Sequence, residues 1–64
     1  MNLITVLHQE LSRNRELLDE YKKIPTGAFG AMCIKNSINH AEKTIEEGDI
    51  KEMIGALQSL QGNN

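Results

Sequence analysis

The sequence predicts an all-α fold, an antiparallel helical hairpin plus a short third helix, assembled as a homo-oligomer. Apolar side chains recur at steps of three and four along three segments, and no stretch shows the two-residue alternation of a strand. The segments are separated by Ile24-Pro25-Thr26-Gly27 and by Gly48-Asp49, both strong helix breaks. Size points to assembly: a 64-residue chain buries only about 60% of the surface its unfolded form exposes. The single Cys33 excludes an internal disulfide, which leaves a partner subunit as the expected source of extra stability.

The elements follow in order within a single helical domain, residues 1–64. The first helix is expected from about Asn2 to Lys23, with Asn2 as its N-cap and a stop at Pro25, whose ring disfavours helical backbone in the preceding residue. At 1.5 Å per residue it is about 32 Å long, more than so small a globule needs and suited to presenting a face to a second chain. The second helix is expected from about Gly27 to Glu46, on the stripe Ala28, Ala31, Ile34, Ile38, Ala41 and Ile45. Thr26 is the expected cap at its start, and Gly48 fits the left-handed position past its end. The third runs from Asp49 to about Gln61, opened by Asp49 and Glu52 as a variant capping box and carrying Ile50, Met53, Ile54, Leu57 and Leu60. Gly62 and two Asn form a tail.

The expected oligomer interface is the stripe of the first helix, Ile4, Leu7, Leu11, Asn14, Leu18 and Tyr21. A lone amide on an apolar heptad stripe fixes register and oligomer number at some cost in stability, so Asn14→Leu is expected to give a more stable, altered oligomer. The competing reading lets the helix turn slightly so that Asn14 reaches solvent at the edge of the seam.

Gly27 and Gly30 with Ala28 and Ala31 make the first turn of the second helix unusually small, so something approaches its backbone closely. One occupant is a phosphate, since free amides and the positive dipole end of a helix favour anions and Thr26 adds a hydroxyl. Arg13, Arg15, Lys22 and Lys23 on the first helix and Lys35 and Lys43 on the second are candidate counter-charges, Arg13, Arg15 and Lys35 foremost, with the pocket completed where subunits converge; the competing reading leaves them as solvated charges. The other occupant is a neighbouring helix. TGAFGAMCIK matches neither GxxxxGK[ST] nor GxGxxG, so both readings stand.

Other function classes are excluded by composition and spacing. Seven Lys plus Arg against nine Asp plus Glu, net charge -2, lacks the basic excess of a duplex nucleic-acid binder. The third helix offers a single cation, Lys51, to anchor a recognition helix on phosphates. No apolar run approaches the roughly 18 residues of a membrane span, and MNLITVLHQE lacks a basic n-region, so a cytosolic protein is expected. His8, Cys33 and His40 show no metal-ligand spacing, and Cys33 and His40 lie about 10.5 Å apart on one helix, too far for a nucleophile and its base. Glu42, Glu46, Glu47 and Asp49 form an acidic cluster at an unfavourable dipole position, a solvated patch or a contact for a basic partner. No acid/base pair with an apolar pocket is in view, so no enzyme, cofactor or metal is expected.

From Ile24 to Leu60 the chain resembles small uncharacterised helical proteins encoded in temperate phages and prophages of proteobacteria. The residues that carry the resemblance are the Pro25-Thr26-Gly27-Ala28-Phe29-Gly30 turn, Ala41-Glu42, Gly48-Asp49, Met53 and Ala56. It implies an accessory protein of the host bacterial cytosol that antagonises an antiviral defence or host process by sequestration, for instance of a nucleotide second messenger. The alternatives are an inhibitor that binds a host protein directly and a purely structural oligomerisation module.

Overall fold

A computed structural model describes residues 2–64 as three helices without a strand: α1 (Leu3–Lys22), α2 (Ala28–Glu47) and α3 (Ile50–Gln61). One end of the molecule brings Leu18, Tyr21 and Lys22 of α1 against Ala28, Ala31 and Met32 of α2. The other brings Leu3 and Ile4 against Ile45, Ile50 and Met53. The start of α1 thus meets the end of α2 and the start of α3, so α2 runs antiparallel to both. The result is a rod of 36 × 18 × 17 Å.

Local chemistry sets most of the boundaries. The Asn2 side chain accepts the Thr5 N–H at 2.8 Å, and that of Asp49 accepts the Glu52 N–H at 3.2 Å. Each bond satisfies an amide the helix cannot, worth about 1 kcal/mol. Gly48 ends α2 at φ 73°, with its N–H on the Thr44 carbonyl at 3.0 Å. A side chain there would strain the left-handed backbone.

The start of α2 differs from the expectation. Gly27, not Thr26, is the N-cap, and no side chain caps the helix. Thr26 falls one position early and is exposed. Gly27 is forced by sterics: a Cβ there would collide with the Tyr21 carbonyl oxygen and lie 3.2 Å from the Ile24 Cβ.

The core is built from Leu7 and Leu11 of α1, Ile34, Ile38 and Ala41 of α2, and Met53, Ala56 and Leu60 of α3. Thr44 is also buried, its hydroxyl donating to the Ala41 carbonyl at 2.8 Å. The ends of the stripes are left out of the core. Ile4, Ile50 and Ile54 are 44%, 66% and 47% exposed, and Ala28 is exposed. Ala28 lies past the reach of α3, which covers about 18 Å of neighbours that are about 30 Å long.

The first-helix stripe expected to form a subunit seam is largely used inside the chain. Leu7, Leu11 and Asn14 have 0%, 1% and 0% of their surface exposed, packed by α2 and α3, and Leu18 and Tyr21 are half-buried. Only Ile4 stands open.

Asn14 does not reach solvent. Its amide nitrogen donates to the Glu10 carbonyl at 2.8 Å and to the Leu60 carbonyl at 3.2 Å, while its oxygen accepts from the Asn63 amide at 2.9 Å. It is the polar joint between α1 and the end of α3, and its place on the stripe follows from facing a helix terminus.

Candidate functional site

The site grows out of the sharp α1–α2 connection. Tyr21 closes the last turn of α1, its carbonyl accepting the Ile24 N–H at 3.1 Å, and the Ile24 carbonyl accepts the Gly27 N–H at 2.9 Å. These bonds fold the chain back within a few residues. Where the helices diverge, a half-open cavity of about 550 Å³ is left between them. Its walls are apolar, from Leu18, Ile24, Pro25, Ala28, Ala31 and Met32, with Tyr21 at one side and Lys22 and Lys35 among its lining residues. That size is within the range of small-molecule sites.

The electrostatics of the groove are one-sided. Among the described residues Arg13 pairs with Glu10 and Arg15 with Glu42, and His40 lies 3.8 Å from Glu52; none of the five lysines has a carboxylate partner, and Lys22 and Lys35 are the two that line this cavity. No Asp or Glu occurs between Glu20 and Glu42, a span that holds Lys22, Lys23 and Lys35. The positive end of the α2 dipole adds to this field. An anion with a flat or apolar portion fits such a surface, its charge on the ammonium groups and its body on the hydrocarbon walls.

The two glycines serve packing. A Cβ on Gly30 would lie 2.5 and 2.7 Å from ring carbons of Tyr21, so the ring rests directly on the α2 backbone. The Tyr21 hydroxyl donates to the Asn64 carbonyl, which ties the C-terminal residues to the same spot. Tyr21 therefore takes the close approach that the small first turn of α2 invites.

The basic residues expected to converge separate into two groups. Lys35 lines the groove. Arg13 lies at the end of α3, donating to the Leu60 carbonyl at 2.8 Å and to Glu10 at 3.0 and 3.1 Å. The Glu10 bond raises its pKa above the usual arginine value, so it stays charged at any physiological pH. Arg15 reaches across to Glu42 at 2.8 Å, with both side chains half exposed. Neither arginine lines the groove, because each is held by a carboxylate elsewhere. Lys22, one of the candidate counter-charges in the sequence, also lines the groove, and so does Tyr21, which the sequence assigned to a subunit seam. Lys22 stands four residues after Leu18 and so shares its face, a signal the sequence does contain.

The remaining chemistry is sparse. Cys33 is exposed, and His40 approaches Glu52 at 3.8 Å on the surface. Among the described residues no group of three or more His, Cys, Asp or Glu side chains is placed to hold a metal ion. No described helix is long and apolar enough to cross a membrane. No buried side-chain nitrogen or oxygen among the described residues lacks a hydrogen-bond partner. No protein-family model, curated protein or solved structure matches the chain.

Proposed function

We propose that the protein is a non-catalytic binder that retains an anionic, partly apolar small molecule of the nucleotide class in the α1–α2 groove. The observation that supports this reading is the pair Lys22 and Lys35, without carboxylate partners, lining an apolar cavity of about 550 Å³ at the positive end of α2. A nucleotide offers phosphate to the ammonium groups and a base to the walls of Ile24, Pro25 and Met32. In a phage-encoded accessory protein of the bacterial cytosol, such retention withdraws a signalling nucleotide from the defence or host process that depends on it.

Lys35 lines this groove, whereas Thr26 and Gly27 are not among its lining residues. Gly30 acts one step back, as the floor on which Tyr21 rests. Arg13 and Arg15 have no part in the site.

The test is native mass spectrometry of protein purified from bacterial extract, followed by equilibrium dialysis with a nucleotide panel. The expected result is added mass matching a nucleotide, lost in Lys35→Glu while the circular dichroism spectrum stays helical. Protein that emerges bare and retains no nucleotide in dialysis at 1 mM, on the order of the weakest useful affinity, overturns the proposal.

A further inference from the structure

The chain keeps coiling past Gln61. The Gly62 N–H donates to the Gln58 carbonyl at 3.1 Å and the Asn63 N–H to the Leu60 carbonyl at 3.2 Å, which lays the following residues across α1. There the Asn63 side-chain amide donates to the Asn14 oxygen at 2.9 Å, and the Asn64 carbonyl accepts from the Tyr21 hydroxyl. Asn14 and Tyr21 stand seven residues apart, two turns on one face and about 10.5 Å along α1. Both therefore meet the same strip of chain.

Tyr21 is shared between this strip and the groove. Its ring lies against the α2 backbone at Gly30, where a Cβ would come within 2.5 and 2.7 Å of ring carbons, and it lines the α1–α2 cavity. Gly30 gives the ring a floor but has no side chain to hold it sideways. That hold comes from the Asn64 carbonyl, at the far end of the ring's two rotatable bonds. The Tyr21–Asn64 bond is exposed and the Asn63–Asn14 bond only partly buried. Such bonds exchange with water at little cost, so they open far more often than the helices unfold. Leu60 stays tied by Arg13 and Asn14 when they do, which confines the opening to the residues past α3.

We propose that Asn63 and Asn64 act as a strap that holds the Tyr21 ring in the groove wall, and that release of the strap frees the ring and widens the groove. The coupling is reciprocal, because whatever steadies Tyr21 also steadies the strap. Control of ligand entry by the strap rests on the ligand-binding reading of the groove, whereas the tie between strap and ring does not.

Two measurements on the ligand-free chain test the tie from its two sides. The sequence holds a single tyrosine and no tryptophan, so fluorescence reads this ring alone. Asn63→Ala should raise quenching of Tyr21 by acrylamide severalfold while the circular dichroism spectrum stays helical. Tyr21→Phe keeps the ring and removes only the hydroxyl; it should speed amide exchange at Asn63 severalfold in NMR, with Met53 and Ala56 in the core of α3 unchanged. Unchanged quenching in a helical Asn63→Ala chain overturns the strap, and so does unchanged exchange at Asn63 in Tyr21→Phe. An equal acceleration at Met53 and Ala56 also overturns it, since the hydroxyl would then act on the whole bundle. If Asn63→Ala does not fold, Tyr21→Phe decides alone. Where dialysis shows a nucleotide retained, Asn63→Ala should weaken its retention severalfold, and full retention removes the strap from control of the groove. A chain that retains no nucleotide fails the ligand reading and leaves both measurements of the tie intact.

Discussion

The joint between α1 and α3 and the groove between α1 and α2 are built from the same materials, polar side chains among apolar ones, and used in opposite ways. At the joint every polar atom is matched: Arg13 and Asn14 converge on the Leu60 carbonyl, and Asn63 closes on Asn14. In the groove Lys22 and Lys35 have no carboxylate. A buried polar group without a partner costs about 1–3 kcal/mol, so the joint must be complete for the chain to fold. The lysines are exposed to water, so their lack of a partner costs nothing. Matched polar groups mark where this molecule holds itself together, and unmatched charge over apolar walls marks the groove proposed to bind a ligand.

Substitutions can break that comparison at either side. Asn14→Leu should have the largest effect, destabilising the chain by about 2–3 kcal/mol in urea denaturation, because it removes three hydrogen bonds and strands the Asn63 amide. This reverses the gain expected of an amide at a subunit seam, and a variant as stable as the parent would show that the joint contributes little. Gly30→Ala comes next. Its methyl group would meet the Tyr21 ring, and a cost of about 1–2 kcal/mol from overpacking is expected, seen as a lower thermal midpoint. An unchanged midpoint would mean that the ring moves aside freely. Lys22→Ser should have the smallest effect on stability, within about 0.5 kcal/mol, yet weaken nucleotide retention in dialysis at least several-fold. Full retention by that variant would remove Lys22 from the site.

The helices were legible because their signals are local. Three apolar stripes, Asn2 and Asp49 as caps and Gly48 past the end of α2 are all readable within a few residues. What the sequence hid depends on distance along the chain. Asn14 lies on an apolar stripe whether it faces a second copy or the carbonyl of a residue far downstream, and only the fold places Leu60 beside it. The arginines lie outside the groove for a related reason: positive charge is visible in the sequence, but Glu42 as the partner of Arg15 is not. Lys35 lines the groove because it shares a helix with the glycine turn. Thr26 looked like a cap because its hydroxyl suits the role, whereas the close approach of the Tyr21 carbonyl decides that only Gly27 fits.

The crowding at the Leu60 carbonyl sets an order of opening for the whole chain. Helix ends ordinarily fray first, but here the Arg13 side chain, the Asn14 side chain and the Asn63 backbone N–H all reach one oxygen, at 2.8, 3.2 and 3.2 Å. The last turn of α3 is thereby tied to the middle of α1 by hydrogen bonds, while its first turn, with Ile50 exposed, is held by the Asp49 cap and by Met53 in the core. Local unfolding of α3 then proceeds from Asp49 toward Leu60, and amide exchange in this helix slows toward its C-terminus. A chain of this kind peels from the linker side and keeps its terminal turn until the bundle itself comes apart.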